Sequence, residues 1–377
     1  MRHGGRLREV AALMLKLGTI AFGGPAVHVA MLRDETVRRR QWLDDREFLD
    51  LLGAVTLLPG PSSTQLAIVL SRRRAGWLGL VVGGACFIAP AMAIVLTLAW
   101  AYDRYGATPA GGGVLDGVEP VVVGVVGVAL WELGRSALKR RWFTLIGLAT
   151  SGAYLAGVNP LLLLLGGGAV VALHANRDRV VSRTGGMLPV APALLSAALA
   201  ARPRVGAGAV AAEFAKLGVV VFGSGYGLLA FLQADLVDHL HWLTEEQLLD
   251  AVAAGQITPG PVFTTATFVG YLLGGVPLAL VATAAIFLPS FAMVAVVEPV
   301  VVRVRRSRWL GPALDGITVA ALGLMAGVTI QLGVRAIHDA FTAVLALASL
   351  AILLRWRPNA ALLVAAGAAI GVTRALL

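Results

Sequence analysis

Two proline–glycine–proline triplets carry the residues best placed to do chemistry in this chain. LLPGPSST (57–64) sets Ser62, Ser63 and Thr64 directly after Pro59, Gly60 and Pro61. ITPGPVFTT (257–265) sets Thr264 and Thr265, with Thr267 beyond, after Pro259, Gly260 and Pro261. A helix beginning behind such a triplet leaves its first N–H groups outside the helical ladder and turns the positive end of its dipole outward. Proline in the first turn does not oppose that helix. Free amides, a helix N-terminus and hydroxyl donors together form a site for an oxyanion that needs no bulk positive charge. A second pair of interruptions, FGGP (Gly23, Gly24, Pro25) and FGSG (Gly223, Ser224, Gly225), adds freed backbone and one more hydroxyl. Gly and Pro also serve merely to kink helices and let them pack closely. Two matched pairs of breaks, each triplet followed by hydroxyls, favour the binding site.

Ionisable residues inside apolar segments are the next candidates, because such positions are costly to keep. Lys16 and Lys216 each precede a break by six residues. Glu213 stands one turn before Lys216 and can neutralise it, whereas Leu13 holds the corresponding place before Lys16. Asp116 and Asp315 each precede a glycine at a segment start and read as helix caps. Glu119 is the lone carboxylate best suited to carry a coupling proton, with Glu132, Glu213 and Glu298 as the alternatives, and His28, just after the first break, titrates near neutral pH in its ordinary state. His239 and His241 read as solvated loop residues. No catalytic set emerges: Ser224 has no intramembrane histidine in its own half to act as base, and HExxH is absent from the sequence. The single cysteine, Cys86, excludes an intramolecular disulfide and a cysteine metal cluster. No metal and no cofactor are expected.

The elements holding these residues are membrane segments. The 377 residues are 58% hydrophobic and only 14% charged, against about 25% charged in soluble domains. Uncharged runs such as 75–102 exceed the roughly 20 residues that cross a bilayer. The net charge of +10 comes from arginines in short loops between apolar runs. That distribution sets orientation rather than nucleic-acid binding, so the lipid bilayer is the expected partner. The N-terminus MRHGGRLREV is basic but no small-residue cleavage site follows, so it does not read as a cleaved leader.

The chain also repeats itself. KLGTIAFGGPAVHVAML from Lys16 aligns without a gap to KLGVVVFGSGYGLLAFL from Lys216, and the register holds through Trp42/Trp242, Asp50/Asp250 and the two triplets. One residue then drops out, pairing Pro90 with Pro289 and LDGV from Leu115 with LDGI from Leu314. The halves span 7–175 and 207–376, joined by a linker at 176–206. Loop charges alternate between them. RDETVRRRQWLDDR (33–46) holds five arginines and its mate QADLVDHLHWLTEE (233–246) holds no Lys or Arg, while DRYGATPAGGG (103–113) holds one arginine and VRVRRSRWLGP (302–312) four. Basic short loops stay cytoplasmic, so equivalent loops lie on opposite faces and the halves form an inverted-topology repeat. Six apolar segments per half are expected, near 9–31, 47–70, 75–102, 114–134, 142–158 and 160–174. The whole is an all-α polytopic membrane protein of about 10–13 transmembrane segments, with broken or re-entrant helices at the triplets. An odd number of net crossings per half makes the 47–70 segment re-entrant, or else two separate short spans of the same parity, and puts the N-terminus outside.

In these strings, FGGPAVHVAMLRDETVRRRQWL with LLPGPSSTQ in the first half, and FGSGYGLLAFL, HWLTEEQLLDAVAAGQITPGPVFTTATFVGYLLGG and IFLPSF in the second, the sequence resembles the chromate ion transporter family in its long, two-half form. The resemblance covers nearly the whole chain. It implies export of chromate across a bacterial inner membrane, powered by the proton motive force and conferring chromate resistance, with sulfate as the look-alike ion. A transporter of sulfate or another oxyanion by uptake or exchange, and an uncoupled anion uniporter or channel, are the alternatives on the same scaffold; a homodimer is the assembly to test. Family positions fall on Gly23, Gly24, Pro25, His28, Glu35, Arg39, Trp42, Pro59, Gly60 and Pro61, and on Gly223, Gly225, Trp242, Pro259, Gly260 and Pro261. Where family members often carry amide and acidic side chains around the first triplet, this chain has Leu57, Ser62 and Gln65, so a coupling proton needs another carrier.

Overall fold

The structure is a computed structural model that describes the chain apart from residues 1, 23, 57, 107, 139, 178–204, 222–226, 307–308 and 357. Its described residues form helices and turns, and four helices are long and apolar enough to cross a bilayer: 62–105, 111–135, 262–295 and 310–336.

Helix α1 (Arg2–Ile20) stops at Ala21 and Phe22, and α2 (Gly24–Arg33) sends the chain back. A π-helical turn (Asp34–Arg39) and α3 (Asp45–Val55) follow. The reversal is fixed by contacts across it: Trp42 Nε1 donates to Glu9 at 3.0 Å, Arg74 pairs with Glu9 at 2.7 Å, and Lys16 with Glu35 at 2.7 Å. Segment 9–31 is therefore not the single crossing expected from its length. It enters and returns, and the N-terminus lies on the same face as the arginine-rich loop 33–46, which removes the outward placement of a basic terminus.

Asp44 caps α3 by accepting from Glu47 N at 2.7 Å. At 1.5 Å per residue α3 rises only about 17 Å, well short of the ~30 Å hydrocarbon layer, before the first triplet interrupts the chain. Helix α4 (Ser62–Tyr105) bends back on itself where Ala75 and Gly76 leave helical geometry (Gly76 φ 68°, ψ −153°). Its arms, 62–74 and 77–105, lie against each other, with Gly79 and Gly83 at Ser71 and Gly84 at Ile68. The chain continues into α5 (Pro109–Ala137), α6 (Arg141–Leu155) and α7 (Pro160–Ala175).

The second half repeats this order as α8 (Ala207–Val220), α9 (Leu228–Leu232), a π-helical turn (Gln233–His239), α10 (Glu245–Ile257), a 3-10 turn (Val262–Thr264), α11 (Thr265–Arg306), α12 (Leu310–Ala336), α13 (Ala340–Trp356) and α14 (Ala360–Leu376). A capping box of Thr244 and Gln247 starts α10. Helix α11 bends at Gly274 and Gly275, and a 2.7 Å hydroxyl bond from Thr267 to Thr283 ties its arms together.

The halves are interlocked. Helices α13 and α14 pack on α5 of the first half, while α6 and α7 pack on α12 of the second. Small residues permit the close approach, as expected where helices associate in lipid: Gly117 meets Gly367, and the repeat-equivalent Gly316 meets Gly167. The mates α5 and α12 run antiparallel. A methyl on Gly134 would lie 3.8 Å from Leu322, and one on Gly333 would lie 3.6 Å from Val123. Those two contacts exchange under the repeat register, so the two-fold relation between halves reverses helix direction. Most of the expected 176–206 linker lies outside the described residues. Trp77, Trp100, Trp131 and Trp356 are half or more exposed, a placement that suits the membrane–water interface.

Candidate functional site

Each triplet meets the end of the helix that leads into the break of the other half. Gly60 N donates to Val221 O at 2.6 Å, and Gly260 N donates to Ala21 O at 3.1 Å. Val221 and Ala21 are repeat mates at the ends of α8 and α1. Both glycines need positive φ, 108° at Gly60 and 95° at Gly260, a region closed to side chains without strain. Their amides are thus committed to crossed bonds between halves.

The next amides are not. The first helical bond of α4 runs from Gln65 N to Pro61 O at 3.0 Å, and no side chain caps this helix. The N–H groups of Ser62, Ser63 and Thr64 therefore stand beyond the ladder. In the second half the ladder starts from Thr264 N to Pro261 O, also 3.0 Å, leaving the amides of Val262 and Phe263 in the equivalent place.

Side chains break the symmetry. His28 and Ser63, both buried, lie 3.1 Å apart through Nδ1 and Oγ, and His28 Nε2 lies 2.9 Å from Ala21 O. A carbonyl can only accept, so Nε2 carries the hydrogen; in the neutral ring Nδ1 then accepts from the Ser63 hydroxyl. Gln65 Nε2 donates to Pro59 O at 2.5 Å and reaches Ser290 Oγ at 3.4 Å. The Thr64 hydroxyl and Gln65 Oε1 are buried with no hydrogen-bond partner. The mates of His28, Ser63, Gln65 and Ser290 are Leu228, Phe263, Thr265 and Ala91. Thr264 donates to Pro261 O at 2.7 Å and Thr265 to Val262 O at 2.8 Å, so these hydroxyls serve the local turn. One half of the crossing is polar and incompletely bonded, and the other is apolar and closed.

Of the remaining sequence candidates, Gly24 and Pro25 open α2 beside the crossing. Gly23, Gly223, Ser224 and Gly225 lie outside the described residues. Lys16 and Lys216 flank the crossing on opposite faces. Lys16 pairs with Glu35, which sequence spacing did not identify; the Lys16 hydrogen bond, helped by the charges of Arg40 and Arg39 against the opposing effect of burial, holds Glu35 below the ordinary carboxylate range. Lys216 pairs with Glu213 at 2.6 Å, as the spacing suggested, and also with Asp235 at 3.0 Å, the mate of Glu35. Asp116 and Asp315 are not caps: α5 starts earlier, at Pro109 behind Thr108, and α12 starts at Leu310. Glu119 lies beside Asp250, which borders a cavity of about 240 Å³ with Tyr102, Val118, Ile257 and Phe268. Asp250 escaped sequence reading because its mate Asp50 is an exposed residue. Its only signal is an acid within the uncharged run LLDAVAAG. Among the described residues, no group of three or more His, Cys, Asp or Glu side chains could hold a metal ion.

A family model described as Chromate transporter matches this chain twice, over residues 8–172 and 208–372. The chromate transport protein of Cupriavidus metallidurans is 34% identical over 370 residues, covering 97% of this chain and 92% of its own. The probable chromate transport protein of Synechococcus elongatus is 33% identical over 91% of this chain and 89% of its own, and the chromate transport protein of Pseudomonas aeruginosa is 32% identical over 86% and 80%. No solved structure matches the chain.

Proposed function

The chain belongs to the chromate transporter family, and on that premise we propose that it is a secondary transporter exporting chromate across the bacterial inner membrane by alternating access. The observation that carries this reading is the pair of crossed backbone bonds, Gly60 to Val221 and Gly260 to Ala21, around a polar set that is buried and only partly bonded. A tetrahedral dianion offers four acceptor oxygens. The Ser62–Thr64 amides and the Thr64 hydroxyl supply neutral donors around the first triplet, the arrangement a helix N-terminus offers to an oxyanion, and the Ser63–His28 hydrogen bond holds that turn in place.

The two faces open in turn. Each triplet is held by the opposite half, so parting one crossed bond frees one side while the other stays shut. The ion pairs of Lys16 with Glu35 and of Lys216 with Asp235 sit over the crossing from the two faces and close them. Export is the direction favoured by a cell negative inside, at about 2.3 kcal/mol per charge per 100 mV, and a dianion doubles that.

Everted vesicles carrying the protein will accumulate labelled chromate, with competition by sulfate and none by a monovalent anion. Thr64→Ala will raise the half-saturating chromate concentration by about tenfold for the loss of one hydrogen bond to a charged ligand, and Ser63→Ala will raise it by removing the bond that holds His28 at the start of α4. Absence of accumulation in vesicles with correctly inserted protein refutes export, and unchanged half-saturation in both variants refutes the site.

A further inference from the structure

We propose that Asp250, which borders the cavity between residues 77–105, α5 and α10, and Glu119 beside it together hold one exchangeable proton, and that this proton moves in linkage with the transported anion. The inference rests on reading the chain as an anion transporter and adds a second site to it.

Asp250 is 2% exposed, and neither of its carboxylate oxygens has a hydrogen-bond partner. It borders the cavity of about 240 Å³ together with Tyr102, Leu98, Val118 and Phe268. Helix α10 packs against α4, α5, α11, α14 and the two short turns of its own half. The titratable groups that face Asp250 are Tyr102 from α4, Glu119 from α5 and Glu246 from α10 itself, with no cation among the described residues. The guanidinium of Arg335 is engaged by Glu245 at the start of α10.

Two carboxylates within an apolar wall and without a counter-cation are costly while both are charged. A single proton makes one of them a donor to the other and removes that cost. A metal ion or sodium would need a cage of several oxygens, whereas a proton needs only this pair. The cavity has room for several waters at roughly 30 Å³ each, which gives the proton a route in and out.

The cavity also reaches the crossing. Ile257 borders it, and two residues later the chain enters Pro259, Gly260 and Pro261, whose glycine is tied to Ala21. A change of packing around Asp250 is thereby passed along α10 to one of the two crossed bonds. The first half has no counterpart, since Asp50 is exposed and the mate of Glu119 is Thr318. The proton site is single, as the anion site is.

Purified protein in liposomes containing a pH-reporting dye tests this. Chromate added to wild type will move protons, and an imposed pH gradient will drive chromate accumulation. Asp250→Asn and Glu119→Gln will each abolish the proton signal and bring the accumulation ratio down to its value without a gradient, while downhill chromate equilibration continues. Asp250→Glu will restore the proton signal with a displaced pH profile. Should Asp250→Asn fail to fold, judged by size-exclusion behaviour, Glu119→Gln and Asp250→Glu carry the same comparison. An undiminished proton signal in Asp250→Asn or Glu119→Gln, or a wild-type dependence on sodium in place of protons, overturns the proposal and leaves chromate transport standing. A wild type that moves no chromate in any mode takes both readings down.

Discussion

Replacing Gly260 by alanine puts the crossed geometry under direct strain. Gly260 holds φ at 95°, and alanine there costs about 1–3 kcal/mol of backbone strain. The added methyl would also lie 2.9 Å from Ala91 Cβ, on a helix arm that can only yield as a whole, and such overpacking costs about 1–3 kcal/mol more. A central expectation of about 3 kcal/mol corresponds to a factor above 100 in an equilibrium constant. The strain falls on the bond from Gly260 N to Ala21 O, so both folding and the transport cycle feel it. The assay is the half-life of the detergent-solubilised protein at fixed temperature, suited to irreversible unfolding, alongside initial chromate flux in vesicles. Ala91→Gly separates the two contributions. Alone it costs up to about 1 kcal/mol, as glycine does within a helix. Combined with Gly260→Ala it removes the methyl contact and leaves the φ strain, giving a coupling of about 1–2 kcal/mol in the double-mutant cycle. At Gly60 the opposing atoms are Ser290 Oγ at 2.6 Å and Gln65 Nε2 at 2.8 Å. These are side-chain ends that can swing aside, so Ser290→Ala will relieve Gly60→Ala only in part. A Gly260→Ala protein with wild-type half-life and flux, or strictly additive effects with Ala91→Gly, refutes the crossed arrangement.

Other perturbations are equally direct. Lys216→Met leaves Glu213 and Asp235 facing each other, whereas Lys16→Met leaves Glu35 with Arg40 at 3.3 Å and Arg39 at 3.8 Å; the first will shorten the detergent half-life more, by about 1–2 kcal/mol equivalent for an uncompensated, partly exposed charge. Because Glu35 titrates below its unfolded value, the Lys16 pair stabilises fully above about pH 4.3 and fades as pH falls below it, and Lys16→Met will shrink that acid limb of a stability–pH profile to the part Arg40 and Arg39 sustain. His28→Leu copies the mate residue Leu228 and will leave thermal stability within about 1–2 kcal/mol while chromate flux falls at least tenfold; unchanged flux refutes a role for the His28–Ser63 pair. Charge-sensitive topology reporters placed at Asn176 and Gly206 will lie on opposite faces, as will reporters in 33–46 and 233–246, with the N-terminus on the face of 33–46.

Much of this architecture was legible because repeats and charges are linear properties. The register linking Lys16 to Lys216 and Pro59 to Pro259 is visible in letters alone, and the alternation of arginine loops announced the reversal that the antiparallel α5 and α12 display. The fold-back of α1 onto α2 was not legible: a mostly apolar segment over 9–31 reads equally as a span or as two half-helices. The FGGP break marks where the chain turns without saying in which direction. Only the basic N-terminus pointed the right way, since a single crossing stranded it outside. The bend at Ala75–Gly76 was legible as a segment boundary between 70 and 75 because RRRAG interrupts the apolar run, and the repeat carried that boundary over to the bend at Gly274–Gly275. Pairing across space was the hidden part. Spacing found Glu213 for Lys216 one turn away, but the Glu35 partner of Lys16 lies 19 residues on, and Asp250 differs from Asp50 only in what the tertiary fold puts around it.

The crossing suggests why such a molecule keeps two halves and yet lets them diverge. Backbone bonds impose no side-chain requirement, so Gly60–Val221 and Gly260–Ala21 can be identical while the residues around them change. A scaffold that switches between two faces needs that equivalence, because either triplet must be able to hold while the other releases. The cargo imposes the opposite demand. An anion bound on a two-fold axis by identical donors would meet the same barrier from either side, and its direction would be left wholly to the gradient. With His28, Ser63, Gln65 and Ser290 opposed by Leu228, Phe263, Thr265 and Ala91, the polar side chains gather around the first triplet only, and Asp250 of the second half pairs with Glu119 of the first while their mates, Asp50 and Thr318, differ from them in burial and in kind. On this argument, substitutions that make the halves more alike will preserve folding and erase directionality. Substitutions at the four backbone positions of the crossing will do the reverse, and the two classes can be told apart by comparing flux ratios across the membrane with detergent half-life in the same set of variants.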